Sequence, residues 1–316
     1  TGIYNAWISF DDLALANQLS FYLLIFILGL FILENLSRKK AQYHSPSKGG
    51  FKKKSLTTLY GFKAWLAFLF CFLVFFISFL FPVLQMLYWT VIFPKHLADL
   101  NLFELFSNTI ILVLLSSIVL IGFAFISNYG NRLSRSKFLE ILTTFSISGY
   151  AIPGIILAVA FITFISWFDN NIINLFEIRN IKSIFIGSIL GLVVVYFIRF
   201  YSLASNGIKS GYLKINYSID ESAYLLGYSK FKTFKNIHIP YLKNSIMLIG
   251  ILIAIEIIKE LPITLIMRPF NFETFATQAY IFASQDLLEA AAAPSLFLIL
   301  IASFFILITS RYILKD

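Results

Sequence analysis

Glu221-Ser-Ala-Tyr-Leu-Leu-Gly227, followed after nine residues by Ile237-His-Ile-Pro240, is a polar, basic stretch set between long apolar runs. A connection of that kind lies in water and holds a defined shape, which marks a docking surface rather than a bare link. Ser218-Ile-Asp-Glu221 has capping-box spacing: Ser218 accepts from the Glu221 backbone while the Glu221 side chain reaches back to the cap. A short helix is predicted to start there. Gly227 admits the positive φ that ends a helix without steric cost, and Ser229 begins a second short helix that is predicted to stop before Pro240. The product is a bent helix pair, with Ala223 small enough for close backbone approach. Tyr224, Leu225, Leu226, Tyr228 and Phe231 are available to fill a partner's groove, which suits helix-in-groove recognition.

The apolar runs on either side define the solvent. Hydrophobic residues make up 59% of the chain and charged residues only 13%, about half the charge of a soluble domain, so the chain belongs in lipid. The formal net charge of +9 does not indicate nucleic acid, because the basic residues fall in short segments between apolar runs. The single cysteine, Cys71, lies within an apolar run and permits no intrachain disulfide.

A membrane helix needs about 20 apolar residues. Seven stretches qualify: Ala14 to Leu33, Ala64 to Leu84, Phe106 to Ser127, Leu139 to Trp167, Ser183 to Ser202, Ser245 to Ile266 and Ala291 to Ser310. Lys and Arg gather in alternate connections. Arg38 to Lys63, Arg132 to Lys137, Lys209 to Lys243 and Arg311 with Lys315 mark one side, while Lys95, Arg179, Lys182 and Arg268 are the few on the other. The rule that cytoplasmic loops retain basic residues then puts the amino terminus outside and the carboxyl terminus inside. Trp7, Trp89 and Trp167 fall near the outer boundaries, where amphipathic rings favour the headgroup level.

Residues 35–60, with Ser45-Pro-Ser-Lys-Gly-Gly50 at their centre, read as a basic cytoplasmic linker whose charge serves ordinary positive-inside anchoring, with a polybasic patch for anionic membrane lipid as the alternative. It separates a lone first helix (1–34) from a six-helix domain (61–316) that carries the polar loop 203–243. The start at Thr1 and the lone helix suggest the end of a first half preceding a complete second half.

The Glu221 to Pro240 pattern resembles the EAA loop of permease subunits of ATP-binding-cassette (ABC) importers: Glu-Ala-Ala, three residues, Gly, nine residues, then Ile, any residue, Leu-Pro. Glu221, Ala223, Gly227, Ile237 and Pro240 match in register, with Ser222 at the second position and Ile239 in place of Leu. Further stretches are similar to the ferric-iron type, in which two halves are fused: Gly149-Tyr-Ala-Ile-Pro-Gly154, Lys259-Glu-Leu-Pro-Ile-Thr264, Arg268-Pro-Phe-Asn-Phe272, Thr1 to Tyr4 and Leu33 to Arg38. The resemblance implies an all-α polytopic membrane protein of the type I ABC importer class, in the bacterial inner membrane, with six of seven spans forming one permease half. It implies Glu221, Ser222, Ala223, Gly227, Ile237 and Pro240 as the residues that couple to a cytoplasmic ATPase dimer, which holds the ATP and Mg. It also implies a periplasmic or extracellular solute-binding protein, and either a fused first half or a second copy of this chain. Thiamine and phosphonate importers have similar fused permeases, so the solute stays open among these and ferric iron.

Intramembrane polar residues mark solute paths. Glu256, Lys259 and Glu260 lie in the sixth span, with Glu256 and Lys259 three apart on one face. A gate and a structural ion pair with a snorkelling lysine both fit that spacing. Pro153 removes a helical hydrogen bond and is predicted to kink or unwind the fourth span, with Tyr150 and Thr143 lining the kink. His44, His96 and His238 are scattered over three loops, and no zinc-ligand spacing, phosphate-cradling loop or nucleophile elbow occurs. No metal, cofactor or catalytic residue is therefore assigned to this chain, and ATP binding falls to another subunit. A secondary transporter driven by an ion gradient is the competing class.

Overall fold

The computed structural model describes residues 2–40, 58–134, 137–175 and 185–313, and all regular structure among them is helical. Most of the linker, including Ser45 to Gly50, and His44 lie outside the described residues. After a short helical turn at 2–9 come α1 (Leu13–Lys40), α2 (Phe62–Ile92), α3 (Leu102–Ser134), α4 (Lys137–Ile147) and α5 (Gly154–Leu175). They are followed by α6 (Ile189–Tyr212), α7 (Tyr217–Leu225), α8 (Lys230–Ile258), α9 (Pro262–Met267), α10 (Phe275–Ser284) and α11 (Leu288–Ile313).

Six of these are long and apolar enough to cross a membrane: α1, α2, α3, α6, α8 and α11. The predicted fourth span is the exception. It divides into α4, a 3-10 turn at Ser148–Ala151, and α5, because Pro153 offers no N–H to the preceding turn and its ring excludes the helical carbonyl. The sixth span also departs from expectation. It ends at Ile258, and Pro262 opens the separate helix α9, so Glu260 lies in the gap between two helices rather than inside one.

The core is built around α6, whose Leu192, Val195, Tyr196, Phe200 and Ala204 are fully buried. α3 and α8 pack on it with Leu112, Leu120 and Ala124 on one side and Leu242, Ile249 and Ile253 on the other. Ser188 caps α6 by accepting from Gly191 N at 3.1 Å. α1 lies against α5, burying Ala16 and Ser20 and joining Asn17 Nδ2 to Thr163 Oγ1 at 2.9 Å. The turn at 2–9 inserts Ile3 and Ala6 into the same core and sets Tyr4 edge-on to Tyr280 of α10. α2 buries no side chain, and Phe68, Phe70, Phe72 and Phe75 stand out from it as lipid-compatible surface.

Two helices pass a proline by way of a π turn, and α11 runs unbroken through Pro294. In α2 a π turn at Phe76–Leu80 precedes Pro82, and in α8 a π turn at Phe234–His238 precedes Pro240. In each, the residue before the proline bonds five back, Phe81 N to Phe76 O and Ile239 N to Phe234 O. The widened turn moves the carbonyl that the ring would strike. The expectation that the second loop helix stops before Pro240 is thus corrected: it runs on as the span.

Candidate functional site

α7 and the first turns of α8 form the bent pair. The predicted cap is displaced by two residues, since Asn216 and not Ser218 caps α7, accepting from Ser218 N at 3.4 Å. The Ser218 to Glu221 capping box does not form, and Glu221 points into solvent. The other end is as expected. Gly227 has φ of 80°, Tyr228 N donates to Ala223 O and Gly227 N to Tyr224 O, both at 3.0 Å, which together make a Schellman stop. Ser229 caps the next helix by accepting from Lys232 N at 3.3 Å.

The pair presents two faces. Asp220 and Ala223, three apart, are buried; Glu221, Ser222, Leu225 and Leu226 face out. Leu225 is 89% exposed, Leu226 78% and Phe231 72%, a ridge of large apolar side chains beside Lys230 and Lys232. Ile237 is half-buried and Pro240 exposed, so the far end of the motif belongs to the root of the loop.

Below the ridge is a polar knot that the sequence did not announce. Asp220 accepts from Arg132 Nε of α3 at 2.7 Å through Oδ2 and from His238 Nε2 of α8 at 2.7 Å through Oδ1. Arg132 Nη1 and Nη2 donate to Ile215 O and Asn216 O, both at 3.1 Å, and its guanidinium lies 4.3 Å from the Tyr217 ring centre. An ionised carboxylate only accepts, so the His238 proton sits on Nε2, which leaves Nδ1 to face Tyr212 OH of α6 at 3.4 Å. Tyr129 packs edge-on against the same ring and donates to Lys230 O at 2.6 Å. One carboxylate thus fastens α7 to the ends of α3 and α8, and through His238 to Tyr212 of α6. The only sign in the sequence is an Asp beside Glu221 and a His within Ile237 to Pro240.

The path candidates separate into two places. Glu256 and Lys259 pair at 2.7 Å as their spacing allowed, and Lys259 borders a groove of about 410 Å³ with Met86, Trp89, Tyr280 and Ala291. Glu260 turns the other way. Arg199 of α6 lies 3.4 Å from Glu260 Oε2 and donates to Ile152 O at 2.8 Å, which brings the Pro153 break and the Glu260 gap together. Tyr150 stands 46% exposed beside this junction and Thr143 is bonded instead by Asn131 Nδ2 at 3.2 Å. Arg199, unmarked by any motif, is the residue that unites them.

α8 is about 43 Å long at 1.5 Å per residue, so the Arg268 to Phe272 turn lies at the end of the bundle remote from α7. There Arg268 pairs with Glu273, whose carbonyl accepts from Asn108 Nδ2 at 3.0 Å, and Phe270 projects 97% exposed. Burial lowers the Arg268 pKa and raises that of Tyr4 beside it, each opposed by the other's charge.

No protein-family model matches the chain. Over 280 residues it is 21% identical to the Fe(3+)-transport system permease protein FbpB 2 of Haemophilus influenzae, covering 88% of this chain and 53% of that protein. The chain therefore spans about half the length of the curated relative it matches. A solved bacterial ABC transporter involved in import of the acidic polysaccharide alginate superposes with a TM-score of 0.62 at 17% identity, over 79% of this chain and 95% of that one. The bacterial alginate ABC transporter in complex with an alginate pentasaccharide-bound periplasmic protein gives 0.62 at 16% identity, over 79% and 94%. The chain has the fold of an ABC-importer permease, all-α and polytopic, as the Glu221 to Pro240 pattern implied.

Proposed function

We propose that this chain is the membrane-spanning part of an ATP-driven importer, in which α7 and the start of α8 receive force from a cytoplasmic ATPase dimer. The supporting observation is the exposed ridge Leu225, Leu226 and Phe231 mounted on the Asp220 knot. A side-chain ridge without a rigid root would move without moving the spans. Coupling also requires that the ridge bind the two ATPase states unequally, since equal grip shifts nothing. In this reading the basic end of the bundle is cytoplasmic, the amino terminus is outside, and a solute-binding protein delivers to the Arg268 end. α1 is the last helix of a first permease half, with a second copy of the chain as the other arrangement.

The name of the Haemophilus relative favours ferric iron as the solute. Uptake of labelled ferric iron, with thiamine and a phosphonate as competitors, tests that choice. Leu225→Asp with Leu226→Asp is expected to abolish copurification of the ATPase while the permease still folds, because both side chains are outside the core. ATPase-free purification of the parent with uptake that stops on collapse of an ion gradient at constant ATP would instead establish a secondary transporter.

Gly227 provides a milder test. A Cβ there meets nothing within 4 Å, so Gly227→Val acts only through the left-handed backbone, at a cost of about 1–2 kcal/mol in the loop. The expected result is ATP hydrolysis that continues while uptake per ATP falls, measured as the ratio of the two rates in proteoliposomes.

A further inference from the structure

Arg199 is the eleventh residue of the 24-residue helix α6, about 15 Å in from its start, and a charge placed midway along a spanning helix needs a reason. Its surroundings supply one. Two helices are interrupted at the same place: the Ser148–Ala151 turn leads to Pro153, and Lys259 to Leu261 separates α8 from α9. Arg199 reaches both, with Nη1 on Ile152 O at 2.8 Å and Nε 3.4 Å from Glu260 Oε2. One turn earlier on the same face, Tyr196 hydrogen-bonds Thr264 Oγ1, and that hydroxyl donates to Glu260 O at 2.6 Å. The junction has no spare room. A Cβ on Gly154 would come within 2.6 Å of Glu260 Oε1 and 3.3 Å of Arg199 Nη1.

We propose that Arg199 is a positioning residue for transport, tying the break before Pro153 to the gap at Glu260 so that the two interrupted spans move as one unit. This rests on the importer reading above. Interrupted helices are where transporters change shape, because unsatisfied helix ends can exchange partners without unravelling a span. Arg199 satisfies one such end, Ile152 O, and its ion partner lies in the gap just before α9, so displacement of either element carries the other. A purely structural ion pair behaves differently: replacing both members with apolar residues of similar size is commonly neutral. The two roles therefore diverge in the double replacement.

The test uses the full-length protein with its ATPase and binding protein in proteoliposomes, with Cys71→Ser and a single reporter at Tyr150→Cys. A membrane-impermeant maleimide measures reporter accessibility at rest and after trapping with ATP, Mg and vanadate. In the Arg199 background the labelling rate is expected to change at least about fivefold between the two states. In Arg199→Met with Glu260→Met the change is expected to fall below about twofold while the ATPase still copurifies. A double variant that responds like its parent overturns the proposal. If the double variant does not assemble, Arg199→Lys decides: it keeps the charge but lacks the guanidinium fork whose Nη1 and Nε face Ile152 O and Glu260 separately, so a full response from it also overturns the proposal. A parent that assembles with no ATPase and shows no response to ATP refutes the importer reading itself, a distinct result.

Discussion

Asp220→Ala is expected to destabilise the protein by about 3–5 kcal/mol, since it strands the Arg132 guanidinium and the His238 ring in a site from which water is largely excluded. Both bonds to the carboxylate are 2.7 Å, and the side chains of Arg132 and His238 are 6% and 0% exposed. Neither can turn to solvent for a replacement. The loss is measured as a fall in thermal midpoint of the detergent-purified protein, with the ATP-driven uptake proposed above abolished alongside it. Asp220→Asn keeps the shape and one acceptor, so a smaller fall is expected there. Equal loss from the two variants would show that the charge, which both remove, matters at this position rather than the shape, which asparagine keeps.

Gly149→Ala is expected to be nearly as severe. A Cβ at residue 149 would lie 2.2 Å from Ile198 O, a backbone atom of α6 that no rotamer change can move. Either the 3-10 turn or α6 has to shift, and overpacking of this kind costs about 1–3 kcal/mol even in cores that can relax. The shift also displaces Ile152, three residues along, from the Arg199 donor. Uptake is expected to fall more steeply than expression or thermal stability. Comparison with Gly227→Ala isolates the cause: residue 227 needs its glycine for a positive φ in open space, whereas residue 149 needs it for clearance.

The parts legible in the sequence are those set by short-range rules. Gly227, Ser229 and Pro153 announced a turn, a cap and a break, because each acts on backbone within a few residues of itself. Glu256 and Lys259 announced their pair through helical spacing alone. Short-range rules also misled where two of them competed. Asn216 won the cap of α7 from Ser218, and its own carbonyl and that of Ile215 before it are held by Arg132 from a distant helix. Pro240 did not end its helix, since a π turn five residues long absorbed the conflict.

Composition and periodicity by themselves determined that this chain fills a bilayer with apolar helices and exposes a shaped loop between them, because lipid forces every backbone group to be satisfied within its own segment. Only the tertiary structure decided what that loop stands on and where the interrupted spans meet. Asp220 lies 88 residues from Arg132 and 18 from His238, and Arg199 lies 47 residues from Ile152. Partners separated by that much chain are chosen by packing of whole helices, which no local pattern encodes.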